Sequence, residues 1–130
     1  MKKFEFSLTR SDSLILVDVL VNRDFTLSLA LDTGATHSTF DRTALLMAEV
    51  ELKDIISKRL IETSGGFVET EVYEFETFEA FEHKVENFRV QVYDFLAMGI
   101  LPEYDGVLGL DFLQQKDLCI HFSKGYLTFH

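Results

Sequence analysis

The run Leu-Ser-Leu-Ala-Leu-Asp-Thr-Gly over residues 27–34 constrains the fold of this chain more than any other feature. Its apolar residues alternate with small or polar ones, which predicts a half-buried β-strand ending at Asp32. A carboxylate at the end of an apolar strand costs free energy unless hydrogen-bond donors hold it. Gly34 lets the backbone turn so that its N–H reaches the carboxylate, and Thr33 supplies a hydroxyl. The pattern therefore predicts a positioned acid or base rather than a surface charge.

Most of the remaining chain has the period-two alternation of β-strands. Turn-forming clusters at 22–24, 64–66 and 123–125 separate neighbouring strands in the manner of hairpins. Val68 and Val72 share one parity while Tyr73 and Phe75 share the other, which predicts a β-bulge near residue 72. The expected strands cover residues 4–8, 14–21, 25–31, 59–63, 67–73, 88–92, 118–122 and 126–129.

Two segments have helical rather than strand character. One helix is expected after Thr39 or Asp41, either of which can cap it, and its apolar stripe extends toward Ile56. The other is expected over residues 111–116, with Asp111 as its cap. The pattern as a whole predicts an all-β fold, closed or sandwich-like, with one or two short helices.

The composition sets limits on the class of protein. A chain of 130 residues with 47% hydrophobic residues fits one domain, which we place at 1–130. Eight glutamates and only one lysine lie between residues 62 and 86, and the net charge of −10 disfavours nucleic acid as a partner. We interpret the glutamates as a solvated strand face; selection against acidic substrates is the alternative.

Several features predict a cytoplasmic protein that does not bind membranes. The apolar runs are shorter than the roughly 20 residues that a membrane span needs. Glu5 interrupts the apolar stretch that a signal peptide would require. The single cysteine, Cys119, cannot form an internal disulfide, in agreement with a reducing compartment.

The sequence resembles the aspartic peptidases, and within them the retropepsins, in three segments that follow the family's order. Leu-Ala-Leu-Asp-Thr-Gly-Ala at 29–35 resembles the catalytic signature, and Val-Leu-Gly-Leu at 107–110 resembles the segment that crosses behind it. Ile-Glu-Thr-Ser-Gly-Gly-Phe at 61–67 resembles the tip of the flap that covers the substrate. The resemblance implies a closed retropepsin-like acid-protease β-barrel lobe.

The resemblance also implies a mechanism and a partner. An aspartic peptidase needs two carboxylates around one water, and this chain has one Asp-Thr-Gly, so it would act as a homodimer on a peptide or protein substrate. The two copies of Asp32 would share one proton, as in aspartic proteases generally. The implied catalytic residues are Asp32, Thr33 and Gly34, and the implied substrate-binding residues are Ala35, Thr36, Ser64, Gly65 and Gly66.

The chain departs from the retroviral pattern at a pair of positions. Retroviral members usually carry Asp where Thr36 stands and Arg where Leu110 stands, and those two form an ion pair. Both partners are replaced here, which implies a different arrangement for binding substrate backbone and for the dimer. His37 follows Thr36, and we interpret it as a half-exposed loop residue rather than a subsite residue.

Other kinds of site are not indicated. The four histidines lack the close pairing of a metal site, and we expect neither a metal nor a cofactor. Cys119 lies in an alternating apolar strand, which predicts a buried structural thiol rather than a nucleophile. Two alternatives to an endopeptidase remain: a catalytically silent retropepsin-fold module for dimerisation or peptide binding, and a β-barrel ligand carrier.

Overall fold

The computed structural model describes residues 1–8, 14–63, 66–100 and 103–130. Within these ranges the chain forms ten strands and two short α-helices. The strands are β1 (Phe4–Glu5), β2 (Leu16–Val21), β3 (Phe25–Leu31), β4 (Thr39–Asp41), β5 (Ser57–Thr63), β6 (Gly66–Ala80), β7 (His83–Tyr93), β8 (Gly106–Leu108), β9 (Leu118–His121) and β10 (Tyr126–Phe129). The helices are α1 (Arg42–Met47) and α2 (Leu110–Leu113).

Six of the strands close into a barrel. Neighbouring strands follow the order β2–β3–β8–β4–β7–β6, and β6 pairs back onto β2 at Leu20↔Glu79 and Val21↔Phe78. Closure lets the backbone N–H and C=O groups of these strands pair with neighbours around the ring. The expected all-β fold, a closed barrel lobe with one or two short helices, is confirmed, and the described residues form two.

Phenylalanine side chains fill the barrel. Phe78 is fully buried, and its ring centroid lies 4.7 Å from that of Phe88, 5.4 Å from Phe112 and 6.2 Å from Phe40. Burying a side chain of this size stabilises a fold by about 1.5–3 kcal/mol, and aromatic pairing adds to that. Because Phe112 belongs to α2, this packing fixes the helix against the barrel directly after β8.

The β2–β3 hairpin confirms the predicted turn. The register pairs Val21 with Phe25, so the loop has three residues, and Asn22 and Arg23 adopt the left-handed conformation of tight hairpin turns, with φ values of 49° and 67°. The antiparallel register then pairs Val19 with Leu27 and Val17 with Leu29, and all four side chains are buried. Strand β3 is thereby held in the wall of the barrel between β2 and β8, and Asp32 follows directly after it.

Helix α1 begins where the sequence predicts and ends earlier. Asp41 is the N-cap, and its side chain accepts a hydrogen bond from the Ala44 N–H at 3.3 Å. The expected extension toward Ile56 is wrong. Glu49 adopts a φ of 62°, and the N–H of the buried Val50 donates to Leu45 O at 3.0 Å, so the chain folds back after one and a half turns.

Strands β5 and β6 form the expected hairpin, which projects from the barrel. Pairing runs from Ser57↔Val72 to Thr63↔Gly66, and the predicted tip residues Ser64 and Gly65 lie outside the described residues. The bulge predicted near residue 72 is wrong, because the β6–β7 register is unbroken from Glu71 to Phe75. Val72 and Tyr73 are both buried although they are neighbours. One face of β6 is buried in the hairpin up to Val72, and at Tyr73 burial passes to the opposite face as the strand enters the barrel.

Polar contacts anchor the base of this hairpin to α1. Glu71 forms an ion pair with Arg42, and the Tyr73 hydroxyl donates to the same carboxylate. This hydrogen bond raises the pKa of the Tyr73 phenol above its ordinary value, and burial adds to the effect. The hairpin is therefore held at its base, close to the start of α1.

The terminal strands form a separate small sheet in the order β1–β10–β9. The predicted C-terminal hairpin is confirmed, and its residues Leu127 and Phe129 are 1% and 7% exposed because they pack into the core of their own chain. Cys119 is exposed, so the prediction of a buried thiol is wrong. Among the described residues, no helix combines the length and apolar character needed to span a membrane.

Candidate active site

Asp32 lies directly after β3, and backbone groups fix its position. Its N–H donates to Leu108 O at 3.0 Å, which continues the pairing of β3 with β8 by one residue. The Gly34 N–H donates to the Asp32 Oδ1 at 2.8 Å, and the Ala35 N–H donates to the Asp32 carbonyl at 3.2 Å. The carboxylate is half-buried and oriented by the strand end, as the sequence predicts.

The backbone behind this loop approaches so closely that position 109 must be glycine. A Cβ at Gly109 would lie 2.8 Å from Ala35 O and 2.8 Å from the His37 carbonyl carbon. The Leu110 N–H donates to the same Ala35 carbonyl at 2.8 Å. The segment after β8 therefore supports the Asp-Thr-Gly loop through direct backbone contact.

A buried serine connects the loop to α2. The Ser38 N–H and hydroxyl donate to the Asp111 Oδ2 and Oδ1 at 2.9 and 2.8 Å, and the Gly109 N–H donates to the Ser38 hydroxyl at 3.0 Å. The prediction that Asp111 caps α2 is wrong, because Gly109 occupies the N-cap position. Its carboxylate instead fixes the loop that follows the Asp-Thr-Gly.

We expect Ser38→Ala to lower the free energy of unfolding by about 1–3 kcal/mol, because the Asp111 carboxylate and the Gly109 N–H would lose a buried partner. Urea unfolding followed by far-UV circular dichroism measures the change. Ser123→Ala, at an exposed turn, is the matched control and should stay within about 0.5 kcal/mol of wild type. Equal stability of both variants would contradict the assigned role of Ser38.

A cleft of about 340 Å³ opens beside Asp32. Its floor is the outer face of the barrel, where Gln91, Thr39 and Val107 are register neighbours across β7, β4 and β8. The walls are largely apolar and aromatic, with one carboxylate from the projecting hairpin: Ile61, Glu62, Tyr93, Phe95, Ile100 and Tyr104. The cleft therefore combines apolar and aromatic walls with polar groups that converge beside Asp32, as a ligand site requires.

The Tyr93 phenol supplies one of the polar groups in the cleft. Burial raises its pKa above the ordinary value, and the nearby Tyr104 and Asp41 raise it further. The phenol therefore remains protonated at neutral pH and available as a hydrogen-bond donor.

Comparison with known proteins assigns the chain to a family. The family model described as aspartyl protease matches residues 17–112, more than half of the 130 residues. The chain belongs to the aspartyl protease family. Its fold is similar to the crystal structure of a retropepsin-like aspartic protease from Rickettsia conorii, with a TM-score of 0.70 and 15% identity over 98% of this chain and 89% of that one. Among curated protein sequences, none matches.

The aspartyl protease signature residues face two different sides of the loop. Asp32, Gly34, Ala35 and Thr36 line the cleft. Thr33 faces a second depression, which is formed with α2 and β9, and its side chain is exposed. Of the predicted flap residues, Gly66 pairs with Thr63 at the end of the hairpin, and Ser64 and Gly65 lie outside the described residues.

His37 connects the loop to the hairpin, which the sequence did not predict. The side chain is exposed and lines the cleft, whereas a half-exposed residue outside the subsites was expected. Its Nδ1 lies 3.0 Å from the Thr36 hydroxyl, and the Arg59 guanidinium lies 3.0 Å from its Nε2. Arg59, on β5, carried no signal in the sequence because its partner lies 22 residues away.

Sequence reasoning also missed Gln91, Tyr93 and Tyr104 as lining residues, because only barrel closure brings β7 and the segment before β8 beside the loop. Among the described residues, no group of three or more His, Cys, Asp or Glu side chains is placed to hold a metal ion.

Proposed function

We propose that this protein is an aspartic endopeptidase whose active site forms between two copies of the chain, each contributing Asp32. The observation that carries the proposal is the Asp32 carboxylate itself, which accepts a hydrogen bond from the Gly34 N–H at 2.8 Å and faces the cleft. A carboxylate held in this way at a strand end has the fixed position that acid–base chemistry requires. The family assignment supports hydrolysis of peptide bonds as the reaction.

The proposed chemistry follows from placing two carboxyl groups around one water. Like charges at such short range cannot both persist, so the pair holds one proton. The ionised group removes a proton from the water as it attacks the peptide carbonyl carbon. The protonated group donates to the carbonyl oxygen, and a proton passes to the amine as the C–N bond breaks. The Gly34 N–H restricts the orientation of each carboxylate throughout.

The substrate would lie extended between the cleft and the hairpin. Ala35 and Thr36 border the cleft on the loop side, and Ile61 and Glu62 border it on the hairpin side. In the proposal the tip residues Ser64, Gly65 and Gly66 cover the peptide and exclude water, because glycines let a backbone bend and approach closely.

Two features support a dimer in which the copies meet beside Thr33. The Thr33 hydroxyl is exposed and makes no hydrogen bond to any other described residue, so it is available to bond across a two-fold axis. Within the described part of the chain, strand β9 is the last strand of its sheet and pairs only with β10, so its other edge is available to a second copy. The surface that runs from Thr33 to β9 includes Leu110, Leu113, Leu118, Cys119 and His130.

We expect Cys119→Arg to weaken the dimer at least tenfold, because a two-fold axis would place two like charges near each other in the interface. Sedimentation velocity over a range of concentrations measures the dissociation constant. Ser123→Arg, in the turn of the same hairpin but outside this surface, is the control and should associate as wild type does. Unchanged association of the Cys119 variant would reject this interface.

Deletion of residues 124–130 would not distinguish loss of the dimer from loss of the fold. It would delete β10, which carries the buried Leu127 and Phe129 and lies between β1 and β9. The truncated chain would lose part of its own core, so a single exposed substitution is preferable.

Digestion of a peptide library at acidic and neutral pH tests the activity. We expect cleavage that a pepstatin-type inhibitor blocks, together with a higher melting temperature when the inhibitor is bound. If the inhibitor raises the melting temperature and no peptide is cleaved, the chain is a catalytically silent peptide-binding module. If it neither stabilises the protein nor affects cleavage, the proposed site is wrong.

We further propose that residues 1–130 form one domain, because the core takes residues from β2 at one end to β10 at the other. We also propose a cytoplasmic location, which the single cysteine supports.

A further inference from the structure

Gln91 is a buried polar residue at the floor of the cleft. It is 5% exposed, and it alternates with Val90 and Val92, whose side chains point into the barrel core at 1% and 0% exposure. Its own side chain therefore points to the opposite face of β7, where it lines the cleft beside Asp32 and Thr39. Its backbone N–H donates to Ser38 O at 3.1 Å, which fixes the strand at this point.

The carboxamide of Gln91 makes no hydrogen bond to another described residue, and its nitrogen and oxygen are accessible from the cleft rather than sealed in the core. Other buried polar side chains around the cleft are paired, with Ser38 bonded to Asp111 and Asp41 accepting from the Phe95 N–H at 3.0 Å. Water in the cleft can bond these amide atoms, but a ligand that displaces the water without replacing its hydrogen bonds leaves them desolvated and unpaired, which is costly. Here the unpaired atoms border the cleft, so a ligand can supply the missing bonds.

The surroundings restrict which side chain would fit. Thr39, the register neighbour of Gln91, donates its hydroxyl proton to His37 O at 3.2 Å and keeps acceptor capacity on its oxygen. Tyr93 and Phe95, with ring centroids 4.7 Å apart, form an aromatic wall above this floor. The floor thus offers both donors and acceptors beneath an apolar wall.

Charged side chains fit this place poorly. Glu62 lines the cleft, and the net charge of −10 disfavours a substrate carboxylate. An ammonium group is attracted to Glu62 on the hairpin wall, but at the floor the Gln91 carboxamide offers it one acceptor oxygen and leaves the amide N–H donors unpaired. An uncharged group that both donates and accepts satisfies the floor without these penalties.

We propose that Gln91, with Thr39 beside it, forms a specificity subsite that selects an asparagine or glutamine side chain of the substrate. A substrate carboxamide forms two complementary hydrogen bonds with the carboxamide of Gln91, N–H to oxygen in each direction. An apolar side chain of the same size would cover the amide and leave it unpaired, and sites of this kind strongly reject ligands that lack the polar group. The inference rests on the proposed endopeptidase function and adds its substrate preference.

The test compares cleavage profiles of wild type and Gln91→Met on a peptide library randomised on both sides of the scissile bond. We expect wild type to favour Asn or Gln over Leu or Met by about tenfold or more in kcat/KM at one position, a factor that corresponds to about 1.4 kcal/mol. Gln91→Met, which keeps the length of the side chain and removes its donors and acceptor, should reverse the preference at that position and leave the others unchanged. Gln115→Met makes the same change at an exposed site and should keep the wild-type profile.

A binding measurement separates this inference from the proposed catalysis. Asp32→Asn and the double variant Asp32→Asn/Gln91→Met are probed on an array of the same peptides. Cleavage with identical profiles for wild type and Gln91→Met rejects the subsite and leaves the endopeptidase intact. Absence of cleavage, with an Asn or Gln preference in binding that the double variant loses, supports the subsite and rejects catalysis. Absence of both cleavage and preference rejects both proposals.

Discussion

Asp32→Asn is expected to lower kcat/KM for peptide hydrolysis by about 10²–10⁴-fold or more, because an amide can neither remove a proton from water nor deliver one to the leaving amine. The fold should persist, since the Asn oxygen can still accept the Gly34 N–H that lies 2.8 Å from the Asp32 Oδ1. A fluorogenic peptide assay measures the rate, and circular dichroism checks the fold. Asp24→Asn, at the exposed β2–β3 turn, is the matched control and should retain wild-type activity.

Mixing experiments extend this prediction to the dimer. If both copies of Asp32 act in one site, an equal mixture of wild-type and Asp32→Asn chains after subunit exchange holds roughly a quarter of its dimers in the active form. Independent monomers would instead retain half of the activity per total chain. Proportional loss in the mixture would contradict the two-chain site even if the variant alone were inactive.

Gly106→Ala is expected to lower the free energy of unfolding by about 3 kcal/mol or more, the largest stability loss that we predict for a single added methyl group. A Cβ at this position would lie 2.1 Å from Thr39 O, 2.9 Å from the Phe40 Cα and 3.0 Å from the Leu29 Cδ2. The first two contacts are with backbone, so no side-chain rotation relieves them, and β8 must separate from β4. Urea unfolding measures the loss.

Gly99→Ala provides the contrast for this prediction. A Cβ at Gly99 meets no atom within 4 Å, but the residue has a φ of 77°, so the cost is that of left-handed backbone alone, about 1–2 kcal/mol. A Gly106 variant as stable as wild type would mean that β8 does not lie between β3 and β4 as described.

The local features of this protein could be read from its sequence because their partners are near in the chain. The Asp32–Gly34 contact spans two residues, and the β2–β3 hairpin follows from alternating apolar residues around a turn cluster. The N-cap at Asp41 is local in the same sense. In each case the strand period, the conformational freedom of glycine or the capping preference acts within a few residues.

Where sequence reasoning was wrong, the tertiary environment outweighed the local pattern. The parity change at Val72 and Tyr73 reflects a strand that leaves a hairpin and enters a barrel, not a bulge. The alternation around Cys119 predicted burial, but β9 is the last strand of a three-stranded sheet, and so this side chain is exposed.

The sequence by itself determined the strand that ends at Asp32, the glycine that holds its carboxylate and the all-β character of the chain, since these depend on periodicity and short-range backbone geometry. Only the tertiary structure decided which distant groups meet around that carboxylate. Ser38 and Asp111 are 73 residues apart, and Gln91 reaches the cleft only because β7 pairs with β4. Such contacts form when barrel closure and burial of the aromatic core fix the order of the strands, and no local pattern encodes that order.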